Sequence, residues 1–204
     1  MTTRLDISFA RTAKPAGGVA IVLAAQGGAC GASAGLVDPQ NVRERAFRAA
    51  GFDGKAGTAA DILAPQGSEA ERLIFVGIGD ASKPQPDGWA KLGGTICAWF
   101  GKADKITVYL DLAQGEISGE AAAEVAMGIL LRNYRFERYK TKKEETSGKV
   151  PERVKVTIVT DAATAAKKAF ADAEAVAAGV LLARDLVNEP ANILGPVEFA
   201  AKAK

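Results

Sequence analysis

The 204 residues contain no histidine and two cysteines. Without an imidazole there is no Ser-His-Asp or Cys-His nucleophilic machinery and no histidine-containing metal site. Cys30 and Cys97 are far apart and form no CxxC pair, so their spacing points to neither a zinc knuckle nor a redox dithiol. They read as two free thiols of a reducing compartment. Any chemistry would have to rest on carboxylates, lysine, tyrosine or backbone amides.

Three stretches place such groups at suggestive spacing. "QGGACGASAG" (residues 26–35) carries four glycines whose backbone N–H groups could face an anion. It lacks the GK[ST] ending of a P-loop, and turn chemistry accounts for it equally well. "VGIGDAS" (residues 76–82) has Gly77 and Gly79 after an apolar run, the start of a dinucleotide fingerprint. Ser82 stands where the third glycine belongs and no acidic partner follows at the required distance, so a tight turn is the expected reading. "RNYRFERYKTKK" (residues 132–143) interleaves Arg132, Arg135, Arg138, Lys140, Lys142 and Lys143 with Tyr134, Phe136 and Tyr139. Cations for phosphate and rings for stacking would suit a nucleic acid. Glu137, Glu144 and Glu145 dilute the charge, and alternating aromatics also describe a strand's buried face.

The elements that must position these stretches are readable from periodicity. Leu5, Ile7 and Phe9 alternate with polar residues, as in a strand with one buried face. "GVAIVLAA" (residues 18–25) is apolar throughout, as a central strand covered on both faces would be. A helix is expected over residues 40–50, ended by Gly51, and strands over 58–65 and 72–79. Trp89, Leu92 and Ile96 recur at helical spacing within 86–100; the Gly93-Gly94 pair inside that run marks either a weak point or a close helix–sheet contact. A strand over 105–112 leads to a helix capped by Ser118 and running to Asn133. The charged run over 140–152 reads as an exposed loop, 153–160 as the last strand and 164–187 as a long helix. Strands alternating with helices predict an α/β sheet with helices on both faces.

With 26 basic and 24 acidic residues, the charge is too even to imply a polyanionic partner for the whole chain. The N-terminal stretch has no apolar signal core, and no later run reaches the ~18 apolar residues of a membrane span, which predicts a cytoplasmic protein with no membrane partner.

The segment "ARDLVNEPANILGPVEFA" (residues 183–200) closes the chain. The long helix should stop near Asn188, because Pro190 disfavours helical geometry in Glu189. Asn192, Gly195 and Pro196 then form a turn, and Pro196 opens a helix of about nine residues, below the ~12–15 that hold together alone in water. That helix is expected to be poorly ordered, or held only by a neighbour, unless a further domain packs on it.

This segment, together with "FDGKAG" (residues 52–57), "ERLIFVGIGD" (residues 71–80) and "YRFERYKTKK" (residues 134–143), resembles the leucyl aminopeptidases, the cytosol aminopeptidase family, in order and spacing. The resemblance implies a three-layer α/β/α mixed sheet of macro-domain-like fold over residues 1–170. Residues 171–204 would be an interdomain helix and the start of a catalytic domain absent from these residues. In that family a two-metal centre (Mn or Zn) activates the water that removes N-terminal residues, preferably Leu, from peptides, and members form homohexamers through their catalytic domains. Its metal motifs, "NTDAEGR" and "KG-x-x-FD-x-GG", occur nowhere here, so the resemblance assigns no catalytic, cofactor-binding or metal residue to this chain, and it predicts an inactive fragment. Two alternatives follow from the same residues: a stand-alone module holding an ADP-ribose-type ligand in the loops 26–35 and 77–82, and DNA contact through 132–143.

Overall fold

The first two strands divide as their residues require. In a computed structural model that describes residues 3–15, 17–82, 88–139 and 151–203, β1 (Arg4–Ala10) is a half-buried edge strand and β2 (Val19–Ala25) is buried at every position. An all-apolar strand has no face for water, so it takes a place between neighbours with helices on both sides.

The remaining elements follow in chain order: β3 (Ala29–Cys30), α1 (Ser33–Val37), α2 (Arg43–Ala50), β4 (Ala59–Leu63), β5 (Arg72–Gly79), α3 (Gly88–Cys97), β6 (Lys105–Tyr109), α4 (Gly119–Asn133), β7 (Arg153–Val159), α5 (Ala163–Asn188) and α6 (Pro196–Ala203). The sheet order is β1-β7-β6-β2-β5-β4, with β3 paired to β2. Neighbours from β1 to β5 run parallel; β4 closes the far edge antiparallel to β5, and β3 folds back antiparallel on β2. Alternate residues of the central strands feed two cores. Ile21, Leu23, Ile74, Val76, Val108 and Val156 pack beneath α3, α4 and α5, whereas Ala20, Val22, Leu73, Phe75 and Tyr109 pack beneath α1 and α2. The result is the expected mixed α/β sheet between two helical layers.

Three local expectations are corrected. Residues 26–35 are not one open loop: Gly27 and Gly28, at φ 81° and 75°, turn the chain sharply into β3 and then α1. The first long helix starts at Arg43 rather than residue 40, because Asp38 accepts hydrogen bonds from the backbone N–H groups of Val42 (2.9 Å) and Arg43 (3.0 Å) and so fixes its first turn. The Gly93-Gly94 pair sits inside α3, and its close contact is with another helix rather than the sheet: a Cβ on Gly93 would overlap the carbonyl oxygen of Val125 in α4. Residues 83–87, and residues 140–150 of the loop expected over 140–152, lie outside the described residues.

Two expected elements end early, β6 at Tyr109 rather than residue 112 and α3 at Cys97 rather than residue 100, while three other boundaries stand as expected. The side chain of Ser118 accepts from the Ala121 N–H at 3.2 Å and starts α4, and Gly51 ends α2 in the left-handed region. α5 stops at Asn188, with Glu189 extended before Pro190. The closing helix forms as α6, but its described side chains are exposed, Val197 at 77 % and Phe199 at 50 %.

Candidate functional site

In an open parallel sheet, ligands bind outside the carboxyl ends of the strands. Here that end of β2, β5 and β6 is formed by residues 26–35, 77–82 and Asp111. Six backbone donors there are engaged within the chain. Gly27 and Gly28 N–H donate to the Asp53 carbonyl (2.7 and 3.3 Å), Gly77 to Thr58 (2.8 Å) and Gly79 to Gly54 (2.8 Å). Ser82 N–H donates to its neighbour Asp80 at 3.0 Å. Ser33 N–H donates to Asp111 Oδ2 at 2.8 Å, and the Ser33 hydroxyl donates to Oδ1 of the same carboxylate. A Cβ on Gly31 would overlap Asp111, which is why that position is glycine. The protein's own carboxylate thus stands where a ligand's anionic group would have to sit. Both glycine-rich stretches are turn chemistry, and the geometry does not favour the ADP-ribose alternative.

The thiols are equally quiet. Burial pushes Cys30 from 9.0 up to about 11, with Arg43 partly offsetting it and Asp111 and Asp38 adding to it. Burial likewise pushes Cys97 up to about 11 against the pull of Arg132 and Arg135. The thiolate is the reactive form, and a pKa raised by about two units leaves roughly a hundredfold less of it near pH 8. A thiolate of higher pKa is also the better nucleophile, so both cysteines should react with a chromogenic disulfide reagent at pH 8 about ten times more slowly in the native protein than in urea. A native rate within about threefold of the unfolded one would contradict this assignment.

The basic–aromatic stretch is not a strand. Residues 134–137 are irregular and 138–139 form a turn, and the segment folds back on the end of α5. The Tyr134 hydroxyl donates to Asp185 at 2.8 Å, and the Arg184 guanidinium lies over the Tyr134 ring, 5.8 Å from its centroid. Arg138 and the Tyr139 hydroxyl both donate to Glu189. Tyr134, Arg138 and Tyr139, three of the groups that read as a nucleic-acid surface, are thus spent on the chain's own carboxylates. Lys140, Lys142 and Lys143 lie outside the described residues.

A shallow groove between α3 and α4 is lined by Lys91, Thr95, Trp99 and Arg132, a set with no nucleophile–base pair. Among the described residues, no three His, Cys, Asp or Glu side chains converge as a metal site would need, and no helix is long and apolar enough to cross a membrane. Asp111, Asp38 and Glu189 organise the fold and were missed from the sequence. The available signal was an isolated acid at the end of an apolar strand for Asp111, and an acid wedged before a proline for Glu189.

Comparison with known proteins places this geometry. Residues 21–143 match the model of the cytosol aminopeptidase family, N-terminal domain. The chain is 51 % identical over its whole length to a probable cytosol aminopeptidase of Agrobacterium fabrum and 48 % identical to one of Sinorhizobium medicae. In each case it spans 41 % of the relative's length. Among solved structures, a tomato leucine aminopeptidase mutant superposes over the whole chain and 42 % of its own length, with a TM-score of 0.74 at 24 % identity. The bottromycin maturation enzyme BotP superposes over 92 % of the chain and 36 % of its own, with a TM-score of 0.64 at 25 % identity. The family match and the shared α/β/α sheet lead to one conclusion: this chain belongs to the cytosol aminopeptidase family and carries its N-terminal domain.

Proposed function

We propose that residues 1–170 serve as the non-catalytic N-terminal domain of a cytoplasmic leucyl-type aminopeptidase, and that residues 171–204 are the helix and opening segment that join it to a catalytic domain. The observation that carries this reading is the surface of the closing segment. From residue 178 to 188 no side chain of α5 is buried, and Val187 is 85 % exposed. Leu182, Ile193, Val197 and Phe199 are exposed beside it in sequence. Apolar side chains gathered on one stretch mark a surface that another body covers. The lengths of the relatives supply room for that body, since the chain spans 41 % of them.

In this reading the domain shapes access to an active site carried elsewhere in the longer protein, which would cleave N-terminal residues, preferably Leu, from peptides and assemble as a homohexamer. Among the described residues no three His, Cys, Asp or Glu side chains converge, which supports a two-metal centre outside this domain. Two divalent ions, Mn or Zn, would polarise the attacking water in that other domain. This chain alone, supplied with Mn²⁺ or Zn²⁺, should release no nitroaniline from leucine p-nitroanilide. A chimera in which it replaces the matching region of the Agrobacterium fabrum relative should do so. Turnover by the chain alone would overturn the proposal.

A further inference from the structure

Glu189 is charged, yet its side chain is 0 % exposed. A buried carboxylate is tolerated only when donors surround it. Those donors come from separate parts of the chain: Arg138 and the Tyr139 hydroxyl from the turn after α4, and Lys202 Nζ, at 3.3 Å, from the last turn of α6. The hydroxyl of Tyr139 first, then Lys202 and Arg138, hold the Glu189 carboxyl below its ordinary range, so it is ionised at neutral pH. α6 has 8 residues, too few to persist in water unaided. Its N-terminal end is tied only locally, by Gly195 N–H donating to Glu198 at 3.1 Å, while its exposed side chains bury little against the sheet.

We propose that Glu189 is an ionic latch that fixes the direction in which residues 190–203 leave the domain. One carboxylate clamps the 138–139 turn and α6 together, and releasing it frees both segments while the sheet stays intact. The inference stands on these contacts alone and does not depend on the aminopeptidase reading. Charge-assisted hydrogen bonds are about twice as strong as neutral ones, so neutralising the carboxylate weakens every arm of the clamp at once.

Amide hydrogen exchange read by mass spectrometry tests this on the 204-residue chain. Glu189→Gln should accelerate exchange about tenfold in peptides covering both 134–139 and 190–203, and leave β2, β5 and β6 within about twofold of the unaltered protein. Lys202→Met, at a side chain 39 % exposed and safe for folding, should accelerate only 190–203. Unchanged exchange in 190–203 in the Lys202 variant would overturn the latch, as would acceleration of a single segment, or of the strands equally, in the Glu189 variant. Should Glu189→Gln fail to fold, the carboxylate supports the whole domain and the latch is likewise rejected.

Discussion

Gly128→Ala is expected to destabilise the domain by about 2 kcal/mol, lowering its melting temperature by roughly 4–8 °C in calorimetry. A Cβ at Gly128 in α4 would overlap the carbonyl oxygen of Ala90 in α3 and lie 2.7 Å from its carbonyl carbon. Both obstacles are backbone, so no rotamer change relieves them and the helices must move apart. Alanine gains about 1 kcal/mol of helix propensity over glycine, but overpacking a close contact costs about 1–3 kcal/mol or more, and here the clash wins. Gly93 is the reciprocal case, with a Cβ 2.9 Å from the Val125 carbonyl carbon. The next residue supplies the control. A Cβ on Gly94 would meet only the Arg132 Cβ at 3.8 Å, an ordinary contact. Gly94→Ala should therefore stabilise the protein by about 0.5–1 kcal/mol, through helix propensity and a less flexible unfolded chain. If Gly93→Ala and Gly94→Ala shifted the melting point in the same direction, the α3–α4 packing described above would be wrong.

Gly54→Ala should cost about 3 kcal/mol, measured as a lower urea midpoint with an unchanged slope. Gly54 has φ 78°, a conformation that penalises any Cβ, and that Cβ would overlap the Ala25 carbonyl oxygen and sit 2.6 Å from its carbon. On the other side, a Cβ on Gly77 would overlap the Lys55 carbonyl oxygen. The "FDGKAG" turn is thus wedged between the ends of β2 and β5, and its Asp53 and Gly54 carbonyls accept from Gly27 N–H, in the turn after β2, at 2.7 Å and from Gly79 N–H of β5 at 2.8 Å. Lys55, the group in this motif with the most chemical capability, is exposed, and Lys55→Ala should change stability by less than about 0.5 kcal/mol. A Lys55 variant as damaged as the Gly54 variant would mean that the motif works through its side chain and not its backbone.

What could be read in one dimension depended on how local its cause was. That β2 is covered on both faces and β1 only half buried follows from the pattern of apolar residues along each strand, which states directly which faces meet water; that β1 lies at the sheet edge came only from the structure. The Ser118 cap and the end of α5 before Pro190 involve residues within a turn of one another. The family, too, lay in the order and spacing of four short segments. The site was harder. Glycines at 26–35 and 77–82 look alike whether their N–H groups face a ligand or the chain itself, and only the fold brings Asp111 to Ser33, 78 positions away.

The same holds for the basic–aromatic stretch and for the glycine pair. Cations beside rings describe a nucleic-acid surface as well as they describe a segment folded on its own acids, until Glu189 is found 51 positions from Arg138 and against it. Gly93 and Gly94 are chemically identical in the sequence, and only the approach of α4 makes one essential and the other replaceable. Periodicity, caps and proline rules act over a few residues and so belong to the chain as written. Which carboxylate fills a crevice, and which glycine admits a neighbouring backbone, are decided by contacts between distant residues that exist only once the sheet and its two helical layers have closed.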